Sequence, residues 1–492
     1  MIQAEVQSER HAIPRWSRIR TSISLGEMDS YKKREPPKRY PSASDNLQKL
    51  LDEWHRNKNL PLAVEIISES RLTCSTVDIG EVAEYVKTLV RQNEKIPFLI
   101  RQFIGEEFEQ NSEMQLTFQD SIAQIRQSLN QFSSNPLLWV ELARNYLILG
   151  LAEKSERALL TAITLAPNNR TVLRAIVRFF IHVGELDKAK FYLNKSPLVT
   201  RDPWILASEI ALSNNMGKTS KNIKLGRDLL LCEDIAPIAL SELASELSTM
   251  DFIAGNNKQG KKKLSIVRNS MHENAFAQLI WINNNVYNIN SIITDSISPK
   301  CNYEAQARAY YSDGDWKNAL ESSGNWLEYQ PFSRDPALLS SYIAADFLGD
   351  LDKAKDAIMC GIKSNPNDIS IVNNDIYISI LRGDYKNAEI KLKKAEQQFD
   401  IGSSIILTAT KGLYFYRTGN PCAGHAQYKD AIKLAEELKN EHMSCKAAIY
   451  LAREEKRVGN NINSLLNYID KHIKAPHRNE CNALIQSFNL KQ

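Results

Sequence analysis

Apolar residues recur along this chain every three or four positions, the spacing that lays side chains on one face of an α-helix. The stretch "PLLWVELARNYLILGLAEKSERALLTAITLAPNN", residues 136–169, shows it best. Trp139, Leu142, Ala143 and Tyr146 share one stripe, Gly150 follows, and a second helical run stops at Pro167. Glycine supplies the positive φ that a tight turn between helices needs. Proline lacks an N–H and crowds the preceding turn, so it closes the second helix. The pattern predicts two helices joined by a short turn. Upstream, "DNLQKLLDEWHRN", "PLAVEIISESRL", "GEVAEYVKTLV" and "FQDSIAQIRQSL" also read as helices.

The same turn signature returns: "GLAEKSE" at Gly150, "GELDKAK" at Gly184, "GDWKNAL" at Gly314, "GDLDKAK" at Gly349 and "GDYKNAE" at Gly383. The spacings are 34, then a gap, then 35 and 34, and Gly419 and Gly459 extend the ladder at 36 and 40. A period near 34 suits a helix pair stacked between the pairs before and after it. Residues 136–169 resemble the tetratricopeptide repeat. Trp139, Leu142, Ala143 and Tyr146 match the family's large-large-small-large positions, Ser155 its small second-helix position, and Ala162 and Pro167 complete the pattern. Pro331 and Pro366 hold the place of Pro167 in later units.

Further units read as Arg170–Pro203, Trp204–Ala236, Ser241–Asn274, Lys300–Ser333, Asp335–Asp368, Ile369–Gly402, Ile405–Leu438 and Cys445–Ala475. The resemblance covers 136–203 and 300–402 most closely. It implies an all-α fold, an α-solenoid in which tetratricopeptide-like helix pairs wind into a right-handed superhelix. The expected division is a basic, flexible arm at 1–44 and a helical region of degenerate repeats at 45–135. A sub-array at 136–274 follows, then an irregular, Asn-rich connector at 275–299 and a C-terminal sub-array at 300–492.

Composition narrows the class. With 43% hydrophobic residues in 492, the chain can bury a continuous core. No apolar run approaches the roughly 18 residues that a membrane-spanning helix needs, and "MIQAEVQSERHAIPRW" has no apolar signal core. The seven cysteines (74, 232, 301, 360, 422, 445 and 481) form no C-x-x-C, which predicts a reducing, cytoplasmic setting without disulfides or a zinc knuckle. Residues 1–44 hold nine Lys/Arg against five Asp/Glu, whereas the remainder holds 53 of each, so the net charge of +4 sits in the arm.

"AGNNKQGKKK", Ala254–Lys263, spells G-x-x-x-x-G-K, the start of a phosphate-binding loop. Repeat phase argues against that use. Gly255 lies 71 residues after Gly184, close to two periods, so it belongs at a helix–helix turn, with Gly217 between the two. Gly260 stands where Ala189, Ala319, Ala354 and Ala388 stand in their units, and "GNPCAG" repeats the pair at Gly419 and Gly424. No β-branched run precedes the motif, and Lys262 occupies the place of the Mg²⁺-binding hydroxyl. Lys258, Lys261, Lys262 and Lys263 leave open a surface contact with nucleic acid. No metal, cofactor or catalytic residue is expected. The eight histidines form no H-x-x-x-H, and His477 and Cys481 lack further ligands nearby in sequence.

The resemblance assigns the concave face to defined first-helix positions. These are Arg144, Arg174, Arg178 and His182 in the early repeats. Arg308, Tyr311, Asn373, Tyr377, Tyr416 and Arg417 follow, then Arg453, Lys456 and Arg457 at the end. Arginine and tyrosine contribute most per residue at interfaces. In the arm, Arg15, Trp16, Arg18 and Arg20 alternate charge with an aromatic, which suits either an ordered contact with protein or phosphate contact with base stacking. The resulting expectation is a non-catalytic scaffold or adaptor that binds a partner through groove and arm. By the resemblance, that partner is a nuclease or toxin-type effector of a bacterial host. The alternatives are a nucleic-acid adaptor using the arm and Lys258–Lys263, and an enzyme with an unrecognised site.

Overall fold

The computed structural model describes residues 10–16, 43–58, 62–63, 66, 78–91, 118–131, 133–232, 235–268, 270–294, 302–400, 404–474 and 477–490. All regular structure among them is helical. The chain is all-α, a succession of helix pairs in which a first helix packs on its own second helix and, as Pro203–Asn215 does on Pro237–Ile253 and Ile369–Leu381 on Ile405–Arg417, on the next first helix of the same unit. It divides into two compact units, Arg10–Asn302 and Tyr303–Gln492.

Each pair is built by the same local device. Gly150, Gly184, Gly217, Gly255, Gly314, Gly349, Gly383, Gly419 and Gly459 all have φ between 66° and 88°. At Gly314 the left-handed turn lets the Asp315 N–H reach back to the Tyr310 carbonyl at 2.9 Å, closing the first helix. Asp315 then caps the second helix by accepting the N–H of Asn318, and Asp350 and Asp384 do the same for Lys353 and Asn387. The alanine four residues after each cap (Ala319, Ala354, Ala388, and Ala189 in its unit) is fully buried, so the two helices meet closely there. In the 136–169 unit Ser155 takes that place and donates to the Ala143 carbonyl at 2.8 Å. The "GD…A" signature is therefore a stop, a start and a contact.

In the Arg10–Asn302 unit the paired helices run Pro136–Ile148 with Ala152–Leu165, Arg170–His182 with Leu186–Lys195, Pro203–Asn215 with Ile223–Leu229, and Pro237–Ile253 with Asn257–Val267. Glu273–Asn285 follows and packs on Pro237–Ile253 as one more first helix, with Asn290–Thr294 behind it. These last two helices hold the described part of the Asn-rich 275–299, where Asn283 accepts the Ile289 N–H at 2.9 Å and makes the bend.

The Tyr303–Gln492 unit runs from Tyr303–Asp313 to Arg478–Ser487. One of its first helices, Arg334–Tyr342, ends in a π turn at Ile343–Phe347. Its wider ring adds a residue to the turn and aims Asp346 into the interior. No helix among the described residues is long and apolar enough to cross a membrane.

Candidate functional site

The sequence "SELASEL" places Glu242 and Glu246 one turn apart on Pro237–Ile253, and "ENAFAQL" places Asn274 and Gln278 one turn apart on the adjoining Glu273–Asn285. All four face one space, and residues Arg10–Trp16 lie in it. Glu246 accepts the Ala12 backbone N–H at 2.8 Å on one oxygen, and His11 Nδ1 at 2.9 Å and Asn214 Nδ2 at 2.8 Å on the other. The Asn274 amide donates to the Ile13 carbonyl at 3.0 Å, and its oxygen accepts from the Arg10 guanidinium at 2.9 Å. Gln278 donates to the Arg10 carbonyl at 2.5 Å and accepts from the same guanidinium. The strap reverses at His11–Ile13, where the Ile13 N–H meets the His11 carbonyl at 2.7 Å, a three-residue turn. Ala12 is fully buried, and His11, Pro14 and Trp16 are buried with it.

Beside the strap, Arg174 forms a fork with Glu242, its two terminal nitrogens bonded to the two carboxylate oxygens at 2.8 and 2.9 Å. The guanidinium also lies over the Trp204 ring, 4.8 Å from its centroid, and Trp204 meets His272 edge-on at 4.6 Å. Burial pushes the Glu242 carboxyl upward, but the charge and hydrogen bonds of Arg174 outweigh it and hold the group below its ordinary range. Burial holds His272 below its ordinary range, against the pull of Glu273 and Glu242.

In the Tyr303–Gln492 unit the first-helix side chains fill the inner face themselves. Asp346 accepts from Tyr377 and, at 2.6 Å, from Tyr450. Arg453 donates to the Tyr377 hydroxyl at 2.9 Å and to Glu454 at 2.7 Å, and lies 4.7 Å from the Phe488 ring centroid. Lys446, fully buried, bonds Glu480 at 2.6 Å and the Tyr342 hydroxyl at 2.9 Å. Burial raises the tyrosine hydroxyls Tyr342, Tyr377 and Tyr450 well above their ordinary value. Glu480 is held well below its own, because Lys446 and His442 together overcome its burial.

The sequence-predicted positions distribute as follows. Arg15 and Trp16 belong to the strap, and Arg18 and Arg20 lie outside the described residues. Arg144 is buried against Glu141 at 3.3 Å, and Arg178 and His182 are half-buried on the helix that carries Arg174. Arg308 bonds Glu304 at 2.9 Å, and half-buried Tyr311 packs edge-on against Trp316. Asn373 accepts from Thr410 at 2.8 Å, Tyr416 donates to Glu455, and Arg417 forks onto Glu454 at 2.7 and 3.0 Å. Arg457 is exposed. Sequence reasoning missed Glu242, Glu246, Asn274 and Gln278. Their signal was there: polar residues four apart, each followed by an apolar residue, in "SELASEL" and "ENAFAQL".

Gly255 and Gly260 do not cradle phosphate. Gly255 turns between two helices, and a Cβ on Gly260 would meet the Phe252 ring at 2.9 Å. Lys263 pairs with Asp251, while Lys258, Lys261 and Lys262 are exposed. His442, His477 and Glu480 come together with ligand atoms within 4.8 Å of one another, but the carboxylate there is already engaged by Lys446 and His442. Within this grouping Glu480 is part of an internal ion-pair network.

No protein-family model matches the sequence, and no curated protein is similar to it. Among solved structures the chain is similar to the human IFIT1 dimer with PPP-AAAA, at 14% identity, a TM-score of 0.35, and coverage of 72% of this chain and 93% of that one. It is also similar to yeast Tom70, at 12% identity, a TM-score of 0.28, and coverage of 82% and 94%. A tetratricopeptide repeat protein from Parabacteroides merdae matches at 11% identity, a TM-score of 0.25, and coverage of 68% and 98%.

Proposed function

We propose that this chain is a non-catalytic scaffold that docks a protein partner, received as an extended segment along the first-helix face of its Arg10–Asn302 unit. One observation supports this most: a stretch of polypeptide, Arg10–Trp16, already lies there. The Ala12 N–H and the Arg10 and Ile13 carbonyls are each bonded to a groove side chain. Side chains that read backbone groups accept polypeptide and give register without demanding one sequence.

Charge pairing supports protein over phosphate. Arg174, Arg308, Arg417 and Arg453, which a phosphate backbone would need, are each engaged by a carboxylate of the same unit. The competing reading is a nucleic-acid adaptor, and the exposed lysines 258, 261 and 262 favour it. An effector of nuclease or toxin type is the partner class that the repeat resemblance suggests.

The test is affinity purification from the native host, comparing the unaltered full chain with an Asn274→Ala/Gln278→Ala chain, each with and without nuclease treatment. A co-purifying protein that survives nuclease and is lost from the groove variant is the expected result. Loss of all of them to nuclease would replace this reading with the nucleic-acid one, and retention of every nuclease-resistant partner by that variant would remove the groove as the docking site.

A further inference from the structure

We infer that the groove between Pro237–Ile253 and Glu273–Asn285 recognises a defined class of peptide, the class to which its own strap belongs, and that a partner enters by displacing Arg10–Trp16. The class is a basic residue, a histidine, a residue no larger than alanine, an apolar residue and a proline. This rests on the docking reading above and adds the ligand's chemistry and its competitor.

Each position has its reason. The basic residue is selected because Asn274 and Gln278 each turn an amide oxygen toward the Arg10 guanidinium while spending their N–H groups on backbone carbonyls. Histidine is selected because its Nδ1 shares the Glu246 carboxylate with the next residue's N–H. A small residue follows because Ala12 is fully buried at the centre of the three-residue turn. Proline at position 14 holds Ile13 in the extended region, which directs the Ile13 carbonyl to Asn274.

The groove is also built to be occupied. Glu246 is fully buried and takes two of its three donors from the strap. An emptied groove leaves that carboxylate with Asn214 and solvent, so a segment that brings back the two donors of the strap fits the vacated positions. Because the competitor is tethered in the same chain, a free ligand sees only the fraction of molecules whose strap has lifted.

A fluorescein-labelled peptide of residues 8–18, SERHAIPRWSR, titrated by anisotropy into three full-length chains, tests this. The chains are the unaltered one, Ala12→Trp, whose strap no longer fits its own groove, and Ala12→Trp with Glu246→Gln. Ala12→Trp is expected to bind the peptide at least about tenfold more tightly than the unaltered chain, and the added Glu246→Gln to cancel the gain. Equal affinity for the first two chains, or no binding by an Ala12→Trp chain that melts like the parent, would overturn the inference. So would equal binding of a peptide carrying tryptophan in place of its alanine.

Should Ala12→Trp not fold, hydrogen exchange on the unaltered chain decides. Excess unlabelled peptide must deprotect the Ala12 amide, and unchanged protection overturns the inference. Partner capture that depends on Asn274 and Gln278, together with failure of the peptide, would remove the ligand class and leave the docking reading standing.

Discussion

Arg174 and Glu242 are 68 residues apart in the chain and joined by two hydrogen bonds of 2.8 and 2.9 Å. The bond spans two repeats, so it ties three first helices into one arrangement beside the strap. Removing one partner leaves the other charge buried. Arg174→Met is expected to cost about 3–5 kcal/mol, and Arg174→Met with Glu242→Leu distinctly less. Urea denaturation of the single and double variants measures it.

The same pairing makes an acid-side prediction. The Glu242 carboxyl is held below its ordinary range in the folded state, so the unfolded chain binds the proton first. Its contribution is complete above the unfolded value of about 4.3 and disappears as pH falls through the folded one. Glu242→Gln should therefore flatten the stability curve below about pH 4.5, as followed by the urea midpoint.

His477 stacks on His442 with ring centroids 3.9 Å apart. Burial, helped by the neighbouring His442, pushes His477 down to about 4 from its ordinary 6.5. Between those values the unfolded state binds more protons, so stability falls as pH is lowered from 6.5 toward 4 and levels below that. The loss attributable to His477 is roughly 1–2 kcal/mol once its partial exposure is discounted. A His477→Asn chain should show a shallower fall over the same window in thermal melts.

Gly412 and Gly424 let two paired helices touch backbone to backbone. A Cβ on Gly424 would lie 2.5 Å from the Tyr416 ring and 2.9 Å from the Gly412 carbonyl, whereas one on Gly324 meets nothing within 4 Å. Gly424→Ala is expected to destabilise by about 1–3 kcal/mol. Gly324→Ala, in a helix interior, should be neutral or stabilise by up to about 1 kcal/mol. Ala354→Leu, at a fully buried helix contact, belongs with Gly424→Ala. Thermal unfolding of the three variants separates them.

Lys446 and Glu480 meet at 2.6 Å inside a network that includes Tyr342, and Lys446 is fully buried. Lys446→Met should cost about 3–5 kcal/mol because Glu480 loses its counter-charge, and adding Glu480→Gln should restore a large part of it. A double-mutant cycle by chemical denaturation checks the coupling.

Much of this was visible from spacing. The ladder from Gly150 to Gly459 marked the left-handed turn inside each helix pair, because a tight helix–helix reversal needs positive φ and glycine adopts it without strain, whereas Lys439 and Asn489, at φ 54° and 53°, carried no such mark. Small residues at 155, 189, 319, 354 and 388 marked the helix contacts for the same local reason: two helices cannot approach closely over a large side chain. Gly260 could be read as packing rather than phosphate binding because it shares their phase. What escaped was which carboxylate an arginine finds. Arg174, Arg417 and Arg453 look like ligand-binding cations in sequence, and their carboxylates lie 68, 37 and 1 residues away. Separations of two repeats, one repeat and one bond share no pattern that periodicity could reveal.

Helix, turn and repeat follow from interactions within a few residues of each other, so a linear string of amino acids suffices to specify them. What occupies the groove is another matter. Arg10 and Gln278 are 268 residues apart and His11 and Glu246 are 235 apart, and nothing local to "RHAIPRW" distinguishes a solvated arm from a docked strap. Stacking the first helices brought a carboxylate and two amides to the spacing of one peptide's backbone groups. That coincidence in space turned a basic tail into a ligand of its own chain.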